Sequence, residues 1–351
     1  MSSNPLSNEY VGVIGAGSFG TVFANLLAQN RKVILYARRP EAADELDKAR
    51  AYKSWKLDDR VELTSEPQYL AENCELIFPV VPSQNFRAML QRFAPFLQPH
   101  HKMIHATKGL AVSVAEDTPL HKIESLHRDQ VRTMTELIRE ETVVMRVGCV
   151  AGPNLAAEIA HGQPAATVVA SSFDEVIREG QTALRSSNFR VHGARDVTGI
   201  ELAGVLKNVM AIAAGILEGL GYGANTRSML ITRGLAEMVA LAKPLGAEVN
   251  AFLGLAGIGD LIATCSSRDS RNFTVGYQLA QGKSAKQVLQ EMDETAEGVQ
   301  TVAIARALAQ AYRVPVPITT LLYRILFESY DIQKGIRLLM EIPYTEDGEL
   351  V

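Results

Sequence analysis

YVGVIGAGSFG, Tyr10 to Gly20, passes from a short apolar run of strand character straight into a GxGxxG loop. Its reading decides the fold. In such a loop Gly15 permits the tight turn out of the strand, and Gly17 lets backbone N–H groups come close to a pyrophosphate. Gly20 lets the following helix pack against the sheet. Thr21 to Gln29 follows with helical character, so a dinucleotide is expected with its pyrophosphate on the helix N-terminus. The alternative is a purely structural glycine turn.

Outward from this loop, Lys32 to Ala37 (KVILYA) reads as a second strand whose end faces the adenosine ribose of a Rossmann unit. NAD sites usually place an acid there, whereas a 2′-phosphate requires cations. This chain has Arg38 and Arg39, and two guanidinium groups bind a phosphate with charge-assisted, bidentate geometry. NADP(H) is therefore favoured, with NAD(H) as the other option; the bland alternative is a pair of solvated loop arginines. Glu75 to Val81, Ser83 to Phe93 and Lys102 to Thr107 continue the alternation as strand, helix and strand. The pattern is doubly wound α/β. The loop ATKGL then sets Lys108 at the carboxyl edge of the sheet, where ligands of open α/β sheets bind; the alternative is a solvated loop lysine.

Asp117 to Glu141 is charged and reads as a surface helix or two, with no evident chemistry. VMRVGCV is a further strand. It leads into AGPNLAAEIA, in which Asn154 or the Gly152-Pro153 turn opens a helix at the sheet edge. After an α/β passage ending near Val191 the character changes, with almost no strand candidates from Gly199 onward. The second domain is expected to be all helical. Its first helix, Ile200 to Glu218, is apolar nearly all round, as a buried central helix would be, with Lys207 in the middle. Burial lowers the pKa of a lysine toward the range useful to a general base; the alternative is a side chain that snorkels to water. GLAGIGDLIATC carries Asp260 after a glycine-rich turn, as a carboxylate near the domain seam or simply a helix N-cap. Ser270, Arg271 and Asn272 open another helix, and hydroxyl, guanidinium and amide groups at a helix N-terminus suit a phosphate. ETAEGVQ, with Glu297, opens one more.

With 351 residues, two domains are the default. A formal charge of -4 is too mild for a nucleic-acid or membrane surface, so small molecules are the expected partners. The polar N-terminus MSSNPLSNEY lacks an apolar h-region, which points to a cytosolic protein. Cys74, Cys149 and Cys265 are too few and scattered for a disulfide framework or a zinc site, and read as small buried residues. Val209 to Gly221 is short of a membrane span and reads as core.

Nearly the whole chain resembles the bacterial NAD(P)-dependent sn-glycerol-3-phosphate dehydrogenases. The likeness is carried by VIGAGSFGT, VPSQNFR, ATKGL, AGPNLAAE, GIELAGVLKNVMAIAAGI, GANTRSMLITRGLAEM, GLAGIGDLIATC, SRDSRN, AEGVQT and PVPITTLLYRIL. The resemblance implies an NAD(P)-binding Rossmann-type domain over 1–196 and a helical substrate-binding domain over 197–351, with the active site between them. It implies reversible hydride transfer between NAD(P)H and dihydroxyacetone phosphate, without a metal, giving sn-glycerol 3-phosphate for glycerophospholipid synthesis. Carried over by position, Lys207 is the proton carrier, Lys108 contacts cofactor and substrate, and Asp260 and Thr264 complete the polar set. Gly152 and Asn154 line the substrate site, while Ser270, Arg271 and Asn272 hold the phosphate. The loop glycines with Ser18, Phe19, Arg38, Arg39, Ala156, Arg271, Thr295 and Glu297 contact the cofactor. A homodimer is compatible with all of this. Phe19 stands where Trp or Tyr is more usual, Ala151 where Ser is usual, and Asp117 to Glu141 looks longer than the family norm. Two other readings are kept: a two-domain hydroxy-acid dehydrogenase of the ketopantoate reductase kind, whose carboxylate substrate would not need Ser270 to Asn272, and a non-catalytic NADP(H)-binding redox sensor.

Overall fold

The computed structural model describes residues 9–114, 118–292 and 296–341. Its backbone divides into two compact units, one of residues 1–107 with 133–197, the other of residues 108–132 with 198–351.

The first unit is built on an eight-stranded sheet. Its strands are β1 (Tyr10–Ile14), β2 (Lys32–Tyr36), β3 (Val61–Thr64), β4 (Leu76–Pro79), β5 (Lys102–His105), β6 (Arg146–Ala151), β7 (Ala165–Ser171) and β8 (Phe189–Ala194). Their order is β8-β7-β6-β5-β4-β1-β2-β3. The six strands from β3 to β6 run parallel in the 3-2-1-4-5-6 order of a dinucleotide fold. β7 pairs antiparallel to β6, Ala151 facing Val168, and β8 runs parallel to β7. Reversal at β7 brings the start of that strand to the carboxyl edge of β6. Val11, Val13, Leu35, Phe78, Ile104, Val150 and Val169 pack into one core with Phe23, Ala24 and Leu27 of the first helix. Strands covered on both faces need such continuous apolar runs rather than alternation, which is why β1 and β4 were legible.

At the carboxyl edge the order reverses between β1 and β4, and there Gly15 adopts φ +122°. A Cβ on Gly15 would lie 2.4 Å from the carbonyl oxygen of Val80, so both its backbone angle and its neighbour demand glycine.

Among the described residues the second unit is helical, apart from a two-stranded ladder of Ala111–Val112 with Val131–Arg132. Helix Val197–Gly219 is long and apolar enough to cross a membrane, but its apolar stretch is buried and serves as a core helix. At Gly215 it crosses helix Arg271–Ala280 in backbone contact: a Cβ on Gly215 would lie 1.9 Å from the Phe273 carbonyl, and one on Gly276 1.9 Å from that of Ile212.

Several expectations change. The segment Lys108–Arg132, which the sequence places with the first domain, belongs to the helical unit. There Leu126 N–H donates to the Ala307 carbonyl, the Tyr323 hydroxyl donates to the His121 carbonyl, and the His121 ring stacks on Phe327. The described part of Asp117 to Glu141 holds one helix, Met134–Glu141, preceded by two short 3-10 turns and the strand Val131–Arg132; Asp117 itself lies outside the described residues. Neither Asn154 nor Gly152-Pro153 opens the next helix, Ala156–Ala160, whose N-cap is Leu155 with no side-chain cap. All three cysteines are buried and free.

Candidate active site

In the first unit the helix after the glycine loop begins at Ser18, with Gly17 as its N-cap, and Thr21 N–H makes the first intrahelical bond to the Gly17 carbonyl. The N–H groups before Thr21 have no intrahelical partner, no side chain caps them, and no acid stands in the first turn. A Cβ on Gly17 would meet nothing within 4 Å. An open face over unsatisfied N–H groups at a positive helix end fits a pyrophosphate. Gly20 is required for a reason other than the one expected. Its Cβ would lie 1.7 Å from the Gly15 carbonyl oxygen, so the close approach is to the loop itself and not to the sheet. Phe19 lies half-buried against Phe23, ring centroids 5.6 Å apart. Arg38 and Arg39 are exposed beyond the end of β2, Arg39 at the N-cap of helix Pro40–Ala49.

At the end of β6, Gly152 has φ +154°, and a Cβ there would come within 3.0 Å of the Thr167 Cα. Asn154 follows, its Nδ2 donating to Thr167 Oγ1 at 2.8 Å. Ala156 starts the helix that packs against helix Ser18–Ala28.

In the second unit four groups expected from sequence meet. Lys207 and Asp260 are 4% and 1% exposed. The Lys207 ammonium donates to Asp260 Oδ1 and to Thr264 Oγ1, while Lys108 Nζ donates to Asp260 Oδ2 at 2.8 Å. Thr264 Oγ1 donates in turn to the Asp260 carbonyl at 2.6 Å. Lys207 therefore does not snorkel, and Asp260 is no N-cap: that place belongs to Gly259, at the end of a π-helical turn, Leu255–Gly259. The wide turn needs Gly257, whose Cβ would lie 2.1 Å from the Phe252 carbonyl. Burial pushes the Lys207 pKa down to about 8; Asp260 opposes the shift, and Lys108 adds to it. For Asp260, burial works upward, but the Lys108 and Lys207 charges together hold the carboxyl below its usual range.

Ser270 is the N-cap of helix Arg271–Ala280 and accepts from Phe273 N–H. Asn272 is buried, and its Oδ1 accepts from Gly298 N–H at 2.9 Å, which leaves its Nδ2 as the donor end. This bond ties the helix start at Arg271 to the start of helix Glu297–Tyr312, beside Glu297. Arg271 is exposed. Thr295 lies outside the described residues.

The family described as NAD-dependent glycerol-3-phosphate dehydrogenase matches with its N-terminal part over residues 10–177 and its C-terminal part over residues 196–337. The chain belongs to this family of oxidoreductases. It is 41% identical to the glycerol-3-phosphate dehydrogenase [NAD(P)+] of Pseudomonas aeruginosa LESB58 over 335 residues, 94% of each chain. The crystal structure of a glycerol-3-phosphate dehydrogenase from Coxiella burnetii superposes with TM-score 0.84 at 31% identity, covering 95% of this chain and 99% of that one. The glycerol-3-phosphate dehydrogenase of Saccharomyces cerevisiae follows with TM-score 0.79 at 21% identity, covering 95% and 99%. At that distance the likeness is one of fold.

Sequence reading of this glycerol-3-phosphate dehydrogenase family member missed Thr167, which is wholly buried and bonded to Asn154, and Gly298, whose N–H orients Asn272. Gly298 had a signal, since AEGVQ puts a glycine inside a helix start. Thr167 had none, because a threonine in a strand is ordinary.

Proposed function

We propose that this chain is an NAD(P)-dependent sn-glycerol-3-phosphate dehydrogenase that interconverts dihydroxyacetone phosphate and sn-glycerol 3-phosphate. The reading rests above all on Lys207, a buried ammonium with a pKa of about 8 held by Asp260 and Thr264. The glycine loop and the N-terminus of helix Ser18–Ala28 would hold the pyrophosphate, Arg38 and Arg39 the 2′-phosphate, with Ser18, Phe19, Ala156, Arg271, Thr295 and Glu297 as further contacts. When bound, the nicotinamide supplies or takes up a hydride at C4.

In the reducing direction Lys207 Nζ, protonated, gives its proton to the C2 carbonyl oxygen as C2 gains the hydride, and C2 becomes a carbinol. Two of its three N–H groups are engaged by Asp260 and Thr264, so the third is the one that serves the ketone. In the oxidising direction neutral Lys207 takes the hydroxyl proton. Positioned proton transfer of this kind contributes about 100- to 10,000-fold. Asp260 orients the amine and stabilises its charged form, and Lys108 balances the carboxylate while donating to the substrate. Ser270, Arg271 and the Asn272 amide hold the phosphate, and Gly152 and Asn154 line the carbon chain. A role in glycerophospholipid synthesis, a cytoplasmic location, a homodimeric state and a division into domains near residue 196 complete the proposal.

Steady-state oxidation of NADPH and of NADH with dihydroxyacetone phosphate tests cofactor and substrate together. Activity is expected with both, greater with NADPH. In Arg271→Ala the KM for dihydroxyacetone phosphate should rise at least tenfold, from loss of a contact of about 1.5–3 kcal/mol. No turnover of the phosphate by the parent would end the reading.

A further inference from the structure

Thr167 lies at the antiparallel entry of β7, opposite the end of β6, and is completely buried. Its hydroxyl has two partners: Oγ1 donates to the Ala151 carbonyl at 3.1 Å and accepts from Asn154 Nδ2 at 2.8 Å. With its only proton spent on Ala151, that hydroxyl can only accept from Asn154, so the carboxamide must turn its NH2 end to Thr167. The other end, Asn154 Oδ1, is buried and accepts no hydrogen bond from any described residue. A buried carbonyl oxygen without a donor is uncommon, and a bound donor would complete it. Gly152 makes the arrangement compact, since its φ of +154° brings the chain against Thr167, where a Cβ would meet the Thr167 Oγ1 at 3.1 Å.

We propose that Thr167 is a positioning residue that fixes the Asn154 carboxamide with Oδ1 presented as the acceptor for an N–H or O–H donor of the bound ligand. This rests on the placement of Asn154 in the substrate site. A hydroxyl of the three-carbon substrate and the carboxamide NH2 of the nicotinamide share this donor chemistry. Without the hydroxyl at 167 the amide loses its orientation, and a flipped amide turns an NH2 toward a donor.

The experiment compares the full chain with Thr167→Val, Thr167→Ser and Asn154→Ala, with Thr167→Ala in place of the valine variant should that one fail to fold. Fluorescence titration gives the NADPH Kd without substrate, steady-state kinetics give KM and kcat for dihydroxyacetone phosphate, and thermal unfolding gives Tm. Thr167→Val should weaken one ligand by about fivefold or more, the loss of one hydrogen bond. A rise in KM with an unchanged Kd identifies the substrate hydroxyl, a rise in Kd identifies the nicotinamide carboxamide, and Thr167→Ser restores either. The inference is overturned if Thr167→Val shifts only Tm while Asn154→Ala weakens a ligand. If Asn154→Ala weakens neither ligand, the placement of Asn154 fails first, and the role of Thr167 falls with it.

Discussion

Lys207 and Asp260 form an ion pair that water scarcely reaches, and the same carboxylate carries Lys108 on its other oxygen. Two cations on one carboxylate leave the site with a surplus positive charge. Burial brings the Lys207 pKa down to about 8 against the pull of Asp260, and the Lys108 charge offsets part of that pull.

The pH dependence of turnover follows from this value. Ketone reduction needs the ammonium form and should fall as pH rises through about 8, whereas oxidation of the alcohol needs the free amine and should rise through the same region. Lys207→Ala should lower kcat about 100-fold or more and leave NADPH binding nearly intact. Turnover within tenfold of the parent, or the same pH profile in both directions, would remove Lys207 from the proton path.

The crossing of Gly215 and Gly276 holds the helix of Lys207 against the helix that begins at Arg271. Since a Cβ on Gly215 would lie 1.9 Å from a backbone oxygen, Gly215→Ala must part the two helices. Overpacking of this kind costs about 1–3 kcal/mol, and the shift should also move Asn272 relative to Lys207. A lowered Tm with reduced kcat/KM for dihydroxyacetone phosphate is expected; an unchanged Tm would show that the crossing has slack.

The cofactor preference should reside in Arg38 and Arg39, both exposed beyond β2. Screening limits contacts in the open, so a preference for NADPH over NADH of about ten- to a hundredfold is expected, declining as salt rises. Replacing both by Ala should raise the KM for NADPH and leave that for NADH almost untouched. Equal losses with both cofactors would mean that the arginines serve the loop or the adenine.

Glu237 offers a test of stability apart from catalysis. It is buried, its Oε1 accepts from Ile318 N–H at 2.5 Å, and its Oε2 accepts from Thr319 N–H and Oγ1 at 3.2 and 3.0 Å, capping the helix Pro317–Phe327. Burial raises its pKa to about 7 against these bonds, from an ordinary 4.5. Between those values the folded state binds more protons than the unfolded one, so stability falls as pH rises from about 4.5 to 7 and then levels off. The group's share is at most about 3 kcal/mol. Glu237→Gln should flatten this part of a plot of Tm against pH. Parallel plots for parent and variant would show that Glu237 does not titrate there.

Local chemistry made much of this legible. The run from Tyr10 to Gly20 specified strand, turn and helix because Gly15 and Gly20 answer backbone constraints that only a residue without Cβ meets, while Gly17 leaves the helix start open. Lys207 was conspicuous because a charge in an apolar helix must be paired or functional, and Ser270, Arg271 and Asn272 because polar groups at a helix start suit an anion. The packing of Lys108–Arg132 against the helical unit was not legible, because its partners, Ala307, Tyr323 and Phe327, lie some two hundred positions onward.

By itself the sequence determined the doubly wound sheet, the helical second half and the residue types that the chemistry needs, because apolar periodicity and glycine tolerance act over a few neighbouring positions. Only the tertiary structure decided that Lys108, Lys207 and Thr264 meet on Asp260, that Gly20 answers to the Gly15 carbonyl, and that Thr167 sets the Asn154 amide. Pairings of that sort depend on which strand reverses and which helices cross, and a Lys207 pKa depends on what desolvates it. Such relations join side chains far apart along the chain, and no local pattern carries them.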